Sequence, residues 1–289
     1  MSKSSVPRPV AASFLVAALS AFTLSACGST PAKTDASTTP APSASATPAA
    51  WGYDTGLLPD EWGTAYPECA DAVDRTESPI DIAVGSLGAA DPADPVQLSF
   101  TNTSWRVFNN GHTVEAVPVT ADGATGEGLA GSFTIAGTTY TVVQFHLHSP
   151  SEHTFDGATT SLEMHVVGSS ADGKTAVIGV PLEIGSQNAA LVPVFAAAPK
   201  AVTAEEEGVV ADGELNLADV LPVGQEVVRY TGSLTTPPCT GGVLWDVYTT
   251  PVTISSEEAS AFTELYTGNA RPVQPLHGRE LTVHTVVAE

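Results

Sequence analysis

His146 and His148 stand two residues apart in the run 144–153, and His165 follows inside 162–165. Side chains alternate along a β-strand, so a pair spaced by two points to one face. Ser149, Pro150, Asp156 and Gly157 lie between the two runs and supply turn chemistry that can fold a second strand, carrying His165, back beside the first. Three imidazole nitrogens then converge. Such a donor set suits a borderline divalent ion, and three protein ligands leave a coordination position for water, which is the pattern of catalytic rather than structural zinc. A single histidine in a β protein is more often a packed core or surface residue. Here three of the chain's seven histidines share one polar-flanked pattern, which favours a metal site with Zn²⁺ as its ion.

Ligating imidazoles usually give their second N–H to an oxygen acceptor that fixes the tautomer. Gln144 and Glu163 each precede a histidine by two and share its face, so Gln144 is expected to orient His146 and Glu163 to orient His165, with a backbone carbonyl left to serve His148. The elements that must hold these residues are short β-branched and aromatic runs, at 96–100, 105–108, 113–119, 133–135 and 139–145, separated by Gly, Asn and Asp. They read as a meandering, mostly antiparallel sheet. The best helix signal is 255–266, with a capping-box start at Ser255 and Gly268 as its stop.

Further motifs extend the pattern: Ser78-Pro-Ile-Asp81, Asn109-Asn-Gly-His112, Gly232-Ser-Leu-Thr-Thr-Pro-Pro-Cys239 and Asn269-x-Arg-Pro-x-Gln-Pro275. In this order, from about Trp51 to the C-terminus, they resemble the α-class carbonic anhydrases, whose zinc histidines stand in the same H-x-H … E-x-H arrangement. The resemblance implies a mainly β fold, a large twisted, mostly antiparallel central sheet of about ten strands with a few short peripheral helices. It implies zinc-dependent, reversible hydration of CO₂ to bicarbonate and a proton, with zinc-bound hydroxide as nucleophile and weak ester hydrolysis from the same site.

By that resemblance His146, His148 and His165 hold the metal. Thr235 accepts a hydrogen bond from the nucleophile while donating its own proton to buried Glu152, Tyr53 helps to order water, and His112 carries the proton outwards. Val167, Val177, Leu234 and Trp245 form the apolar wall for CO₂. A disulfide between Cys69 and Cys239 is implied too; the residues alone leave two free thiols as the alternative. His153 is read as structural, bonded to Glu163 and Tyr230, and His277 and His284 carry no assignment. Three positions depart from the family pattern: Glu77 where Gln is common, Glu115 where a neutral polar residue often lines the cavity, and Gly241 where a carboxylate is frequent. A negative charge at Glu115 is expected to raise the pKa of His112. Two other readings remain, a catalytically silent binding module and a zinc hydrolase for larger substrates.

Ten basic residues against 32 acidic ones, a formal charge of −22, exclude nucleic acid and anionic lipid as binding partners and leave a neutral small substrate unopposed. Residues 1–26 read as an export signal, with Lys3 and Arg8 ahead of the apolar run 10–24 and no acidic residue before Asp35. Leu24-Ser-Ala-Cys27 resembles a lipoprotein box, so a lipid-modified Cys27 is expected to anchor the exported protein to the outer face of the cell membrane. An ordinary secretory signal and a retained membrane helix are the alternatives. Residues 27–50 form the anchor and a linker of Ala, Ser, Thr and Pro, a composition unable to bury a core, and 51–289 form the catalytic domain. A homodimer is left open.

Overall fold

The computed structural model describes residues 50–70 and 76–288; the expected signal, Cys27 and most of the linker lie outside them. Its strands are β1 (Asp81–Ile82), β2 (Asp91–Phe100), β3 (Ser104–Asn109), β4 (Val114–Val119), β5 (Gly131–Ile135), β6 (Thr138–His148), β7 (Thr154–Phe155), β8 (Leu162–Ser170), β9 (Thr175–Ile184), β10 (Val209–Val210), β11 (Glu226–Ser233), β12 (Gly241–Tyr248), β13 (Val252–Ile254) and β14 (Thr282–Ala288). The α-helices are short, α1 (Trp62–Ala65), α2 (Val192–Ala197) and α3 (Ser256–Thr263).

Among the described residues, twelve strands join one sheet in the order β10-β3-β4-β6-β5-β2-β14-β11-β12-β9-β13, with β8 between β6 and β9. The resemblance implied about ten; two- and three-residue strands such as β10 and β13 carry too little pattern to be read from sequence. Pairing is antiparallel except where β9 meets β12 and β13 and where β14 meets β2. The remaining two strands, β1 and β7, make a separate parallel ladder. Pro181 sits in the interior of β9, a place that normally excludes proline. It falls between Gly179, where the β12 ladder ends, and Leu182, where the β13 ladder begins.

The strand carrying two of the histidines is not a simple alternation. Tyr140 and Val142 are buried, and then the register against β8 jumps from Val142↔Gly168 to Gln144↔Val167. Val143 is left over as a β-bulge, 46 % exposed. The extra residue inverts the alternation. Phe145 and Leu147 therefore continue the core face begun by Tyr140 and Val142, while Gln144, His146 and His148 face the other way. Gly168 is required at this junction, since a Cβ there would stand 2.6 Å from Phe133 Cζ.

The larger core cluster takes in Phe133, Phe145, Leu147, Met164, Val166 and Ile178 and is roofed by Phe195 of α2 and Phe262 of α3. The other face of the sheet holds a smaller cluster with Val177, Val228, Tyr230, Trp245 and Val247, joined by Val167 and Leu234. Helix α3 begins on the expected capping box: Glu258 N donates to Ser255 Oγ at 3.1 Å and Ser255 N donates back to Glu258 Oε2 at 2.6 Å. It ends at Thr263 rather than Tyr266. The Tyr266 hydroxyl is instead engaged by Asn109 Oδ1 and by the Thr113 carbonyl.

Cys69 and Cys239 form a disulfide, Cα–Cα 5.0 Å, across a separation of 170 residues. It ties the 3₁₀ turn Pro67–Cys69 to the loop that follows β11 and holds Thr235. Closing so large a loop restricts the unfolded chain, so reduction is expected to lower stability by about 2–5 kcal/mol. Denaturant unfolding with and without reductant reads this directly, and coincident midpoints would contradict it.

Candidate metal centre

The antiparallel pairing of β6 with β8 puts His165 directly opposite His146. His148, two residues along on the same face, completes a triangle whose ring centroids lie 4.6 to 5.1 Å apart. One nitrogen from each of the three lies within 4.8 Å of the other two. The second nitrogens are all committed: His146 Nδ1 to Gln144 Oε1, His148 Nδ1 to the Asn269 carbonyl, and His165 Nε2 to Glu163 Oε1, each at 2.8 Å. Since an oxygen acceptor requires an N–H, these contacts set the tautomers. Nε2 of His146, Nε2 of His148 and Nδ1 of His165 are left as lone pairs facing one another.

Burial favours the neutral form of His146 and His148. Burial pushes the pKa of His146 well below its ordinary value, and the neighbouring His148 and His165 push it further. His148 is also lowered by burial, against an opposing pull from Glu152. Glu163, wholly buried, is the charged exception. Burial alone would raise its pKa, but the electrostatic interaction and hydrogen bonds with His153 and His165 prevail and hold it well below the carboxylate range. Its Oε1 serves His165 and also His153 Nδ1 at 2.7 Å, and its Oε2 accepts from His153 N at 2.8 Å. His153 Nε2 reaches the Tyr230 hydroxyl at 2.7 Å, which meets Ser78 Oγ at 2.8 Å. Gly232 makes room for this chain, as a Cβ there would fall 2.1 Å from Ser78 Oγ.

Glu152 lies on the opposite side of the imidazoles. Its Oε1 accepts from Arg271 N at 2.8 Å and stands 3.5 Å from His148 Nδ1; its Oε2, 3.9 Å from His165 Nδ1, is buried without a hydrogen-bonding partner. Thr235 is buried as well. The hydrogen bond expected from Thr235 to Glu152 is not formed. The Arg271 amide claims one carboxylate oxygen and leaves the other as an unused acceptor. Arg271 is a hub of its own: Nη1 donates to Glu77 Oε2 at 2.9 Å and to the Ser78 carbonyl at 2.7 Å, and Nη2 donates to the Cys69 carbonyl at 3.0 Å. The departure at Glu77 is thus paired by a buried guanidinium. Gly241, the third departure, opens β12 opposite Ser233 at the bulged end of β11, where a Cβ would meet nothing within 4 Å.

Val167 and Val177 are directly opposed on β8 and β9, on the face that carries His165. Trp245 stands edge-on to that imidazole, centroids 4.9 Å apart, and its Nε1 donates to the Ser233 carbonyl at 3.0 Å. With Leu234 in the same cluster, an apolar wall adjoins His165. Tyr53 turns a buried hydroxyl with no partner, its pKa driven upward by burial, among Trp51 and Trp62. His112 stacks on Trp51, centroids 3.8 Å apart and planes 11° off parallel. Both border a cavity of about 390 Å³ with Lys200, Val202 and Tyr266. The expected rise in the pKa of His112 from Glu115 is reversed: burial lowers it. The Glu115 carboxylate is itself raised by burial and turned toward Asn110.

Besides Arg271, three further residues had no role assigned from sequence. Asn269 gives its carbonyl to His148, accepts from Ser149 N at 2.8 Å and donates from Nδ2 to the carbonyls of His112 and Leu147, both at 3.0 Å. Arg229 forms a buried bidentate pair with Asp246 on the facing strand, at 2.9 and 3.0 Å, and reaches on to Asp94 at 2.5 Å. Asn269 falls within a quoted motif, and its identity in a segment with no strand pattern was the available signal. His284, unassigned, bonds the Asp94 carbonyl and Thr282 Oγ, each at 2.8 Å.

Comparison with known proteins agrees with this geometry. A family model described as eukaryotic-type carbonic anhydrase matches residues 57–285. A carbonic anhydrase of Pectobacterium carotovorum is 35% identical over 240 residues, 82% of this chain and 92% of the relative. One from Klebsiella pneumoniae is 35% identical over 233 residues, 79% and 89% of the two chains. Among solved structures, the α-carbonic anhydrase of Thermovibrio ammonificans, in complex with the inhibitor sulfanilamide, superposes with a TM-score of 0.71 at 32% identity, covering 81% of this chain and 99% of that one. The chain belongs to the eukaryotic-type carbonic anhydrase family, enzymes that reversibly hydrate CO₂ to bicarbonate and a proton.

Proposed function

We propose that His146 Nε2, His148 Nε2 and His165 Nδ1 hold a zinc ion and that the residues around them make this a working CO₂ hydratase. The observation that carries this reading is His148 Nε2, a buried nitrogen without a partner in a ring whose other nitrogen is committed as a donor. A buried acceptor left unmet costs about 1–3 kcal/mol, and a cation facing all three lone pairs removes that cost. Neutral nitrogen donors, three in number, fit zinc with one position open to water. Bound zinc lowers the pKa of water to about 7, an effect for which carbonic anhydrase is the reference case.

The remaining chemistry belongs to the chain. Gln144, Glu163 and the Asn269 carbonyl orient the three imidazoles. Thr235 is not bonded to Glu152 in this structure; on turning its hydroxyl proton to the unused Glu152 Oε2 it would become a pure acceptor and select a donor group beside it. Val167, Val177, Leu234 and Trp245 offer CO₂ an apolar wall and exclude competing water. The free Tyr53 hydroxyl suits ordering of water along the exit path, and His112, on the rim, accepts the proton. The export signal and Cys27 support an anchored enzyme outside the cell membrane; among the described residues no helix is long and apolar enough to cross one.

Zinc titration tests the ligand set. Metal-free protein is expected to take up one zinc per chain, and the His146→Ala variant none; equal uptake by both would remove these histidines from the site. His112→Ala is expected to lose about tenfold or more in kcat in weak buffer, since a positioned acid–base group contributes about 10²-fold or more, and added imidazole should restore it. Because burial lowers the pKa of His112, the ring stays neutral and able to accept a proton below the ordinary histidine range, so the wild-type kcat should fall off only below about pH 6.5. A loss that imidazole fails to repair would exclude His112 as the acceptor.

A further inference from the structure

The turn that carries His112 is held through a side chain that the reaction scheme does not use. Asn110 Oδ1 accepts the backbone N–H groups of His112 and Thr113, each at 2.9 Å. This asparagine turn fixes the direction in which residue 112 leaves the sheet. An asparagine amide can rotate and put its NH₂ where its oxygen stood, which would undo both bonds. Here the NH₂ is claimed: Asn110 Nδ2 donates to Glu115 Oε2 at 3.0 Å. An ionised carboxylate can only accept, so it admits one orientation of the amide.

Glu115 is itself well supported. It lies in β4 directly opposite Phe108 on β3 and His146 on β6, paired on both sides and sharing a face with His146. A rigid strand thus sets the position of its carboxylate, and through it the loop. Beyond the loop, the His112 ring rests on Trp51 and the His112 carbonyl is taken by Asn269 Nδ2. Backbone and ring are each fixed, and Glu115 supplies the link between the loop and the strand beside the metal ligands.

We propose that Glu115 is a positioning residue for proton transfer, locking the Asn110 amide so that its turn presents His112. The proposal rests on the reading of His112 as proton acceptor. Its acidic side chain serves here as an obligate hydrogen-bond acceptor rather than as a further relay.

Steady-state CO₂ hydration in weak and strong buffer tests it on four variants: Glu115→Ala, Glu115→Gln, His112→Ala and the Glu115→Ala/His112→Ala pair. Glu115→Ala is expected to lose about fivefold in kcat in weak buffer, part of the roughly 10²-fold a positioned acid–base group supplies. Its kcat/KM should stay within about twofold, because the step at the metal is untouched. Imidazole should restore kcat, and Glu115→Gln, whose amide oxygen also accepts, should recover most of the loss. The double variant should be no slower than His112→Ala. An unchanged kcat in Glu115→Ala, a parallel fall in kcat/KM, or a Glu115→Gln as slow as Glu115→Ala would each overturn the proposal. A rescuable loss in His112→Ala with none in Glu115→Ala removes Glu115 alone, whereas no loss in His112→Ala removes the acceptor reading and this inference with it.

Discussion

His148→Ala should leave a folded protein without its metal and with CO₂ hydration reduced by more than about 10³-fold, a substantial part of the roughly 10⁶-fold or more by which enzymes exceed uncatalysed rates. The imidazole sits 1% exposed between the strand and the Asn269 carbonyl, so no other side chain can swing in to replace its Nε2. Two remaining nitrogens, from His146 and His165, make too small a donor set for a stable tetrahedral site. Circular dichroism separates the two ways of losing activity: retained sheet signal with zinc absent places the defect at the metal. Full activity in this variant would show that the ion is held elsewhere.

The second large effect falls on Glu163, a residue that touches no substrate. Its two oxygens accept from His165 Nε2, His153 Nδ1 and His153 N. Glu163→Gln keeps the shape but offers one acceptor oxygen to three donors, so an NH₂ must face an N–H. Either the His165 ring turns over, moving the lone pair away from the metal, or a buried donor stays unmet. Zinc affinity should fall about 10–100-fold, the usual cost of removing a ligand's supporting partner, and stability by about 1–3 kcal/mol. Competition with a chelator and denaturant unfolding measure the two. A variant with unchanged zinc affinity would mean that the carboxylate only fills space.

How much of this was legible in the sequence differs from residue to residue. The histidine spacing, and the Gln144 and Glu163 positions two before it, could be read because strand alternation is local and strong, and the structure sets those residues on one face as alternation requires. The bulge at Val143 could not be. Nothing in Val142-Val143-Gln144 says that one residue leaves the ladder, and without that slip the histidines would face the large core. The acceptor for His148 was equally hidden, since a carbonyl belonging to residue 269 has no side-chain signature and arrives from 121 positions away. Family resemblance drew attention to Thr235 and Glu152, yet the structure spends one Glu152 oxygen on the Arg271 amide and leaves the pair unbonded. Resemblance also marked Glu115 as a departure without revealing its use. Only the geometry shows its carboxylate turned to Asn110, and His112 lowered in pKa by burial instead of raised by charge.

The buried Arg229–Asp246 pair is the plainest case of tertiary structure overriding a sequence prior. Two charged residues in β11 and β12 argue against a fully buried sheet centre, but they meet across the strands and satisfy one another, with Asp246 pushed up to about 6 by burial even so. Short strands, paired charges and backbone acceptors share one property: each is defined by a partner distant in the chain.

The most direct test of the account is stopped-flow CO₂ hydration by the purified protein, followed through removal of its metal by a chelator and return of zinc. The account predicts hydration that disappears with the metal and returns in proportion to zinc up to one ion per chain. Hydration that persists in the fully metal-free protein would contradict it, because the residues described here could then not be acting on a zinc ion held by His146, His148 and His165.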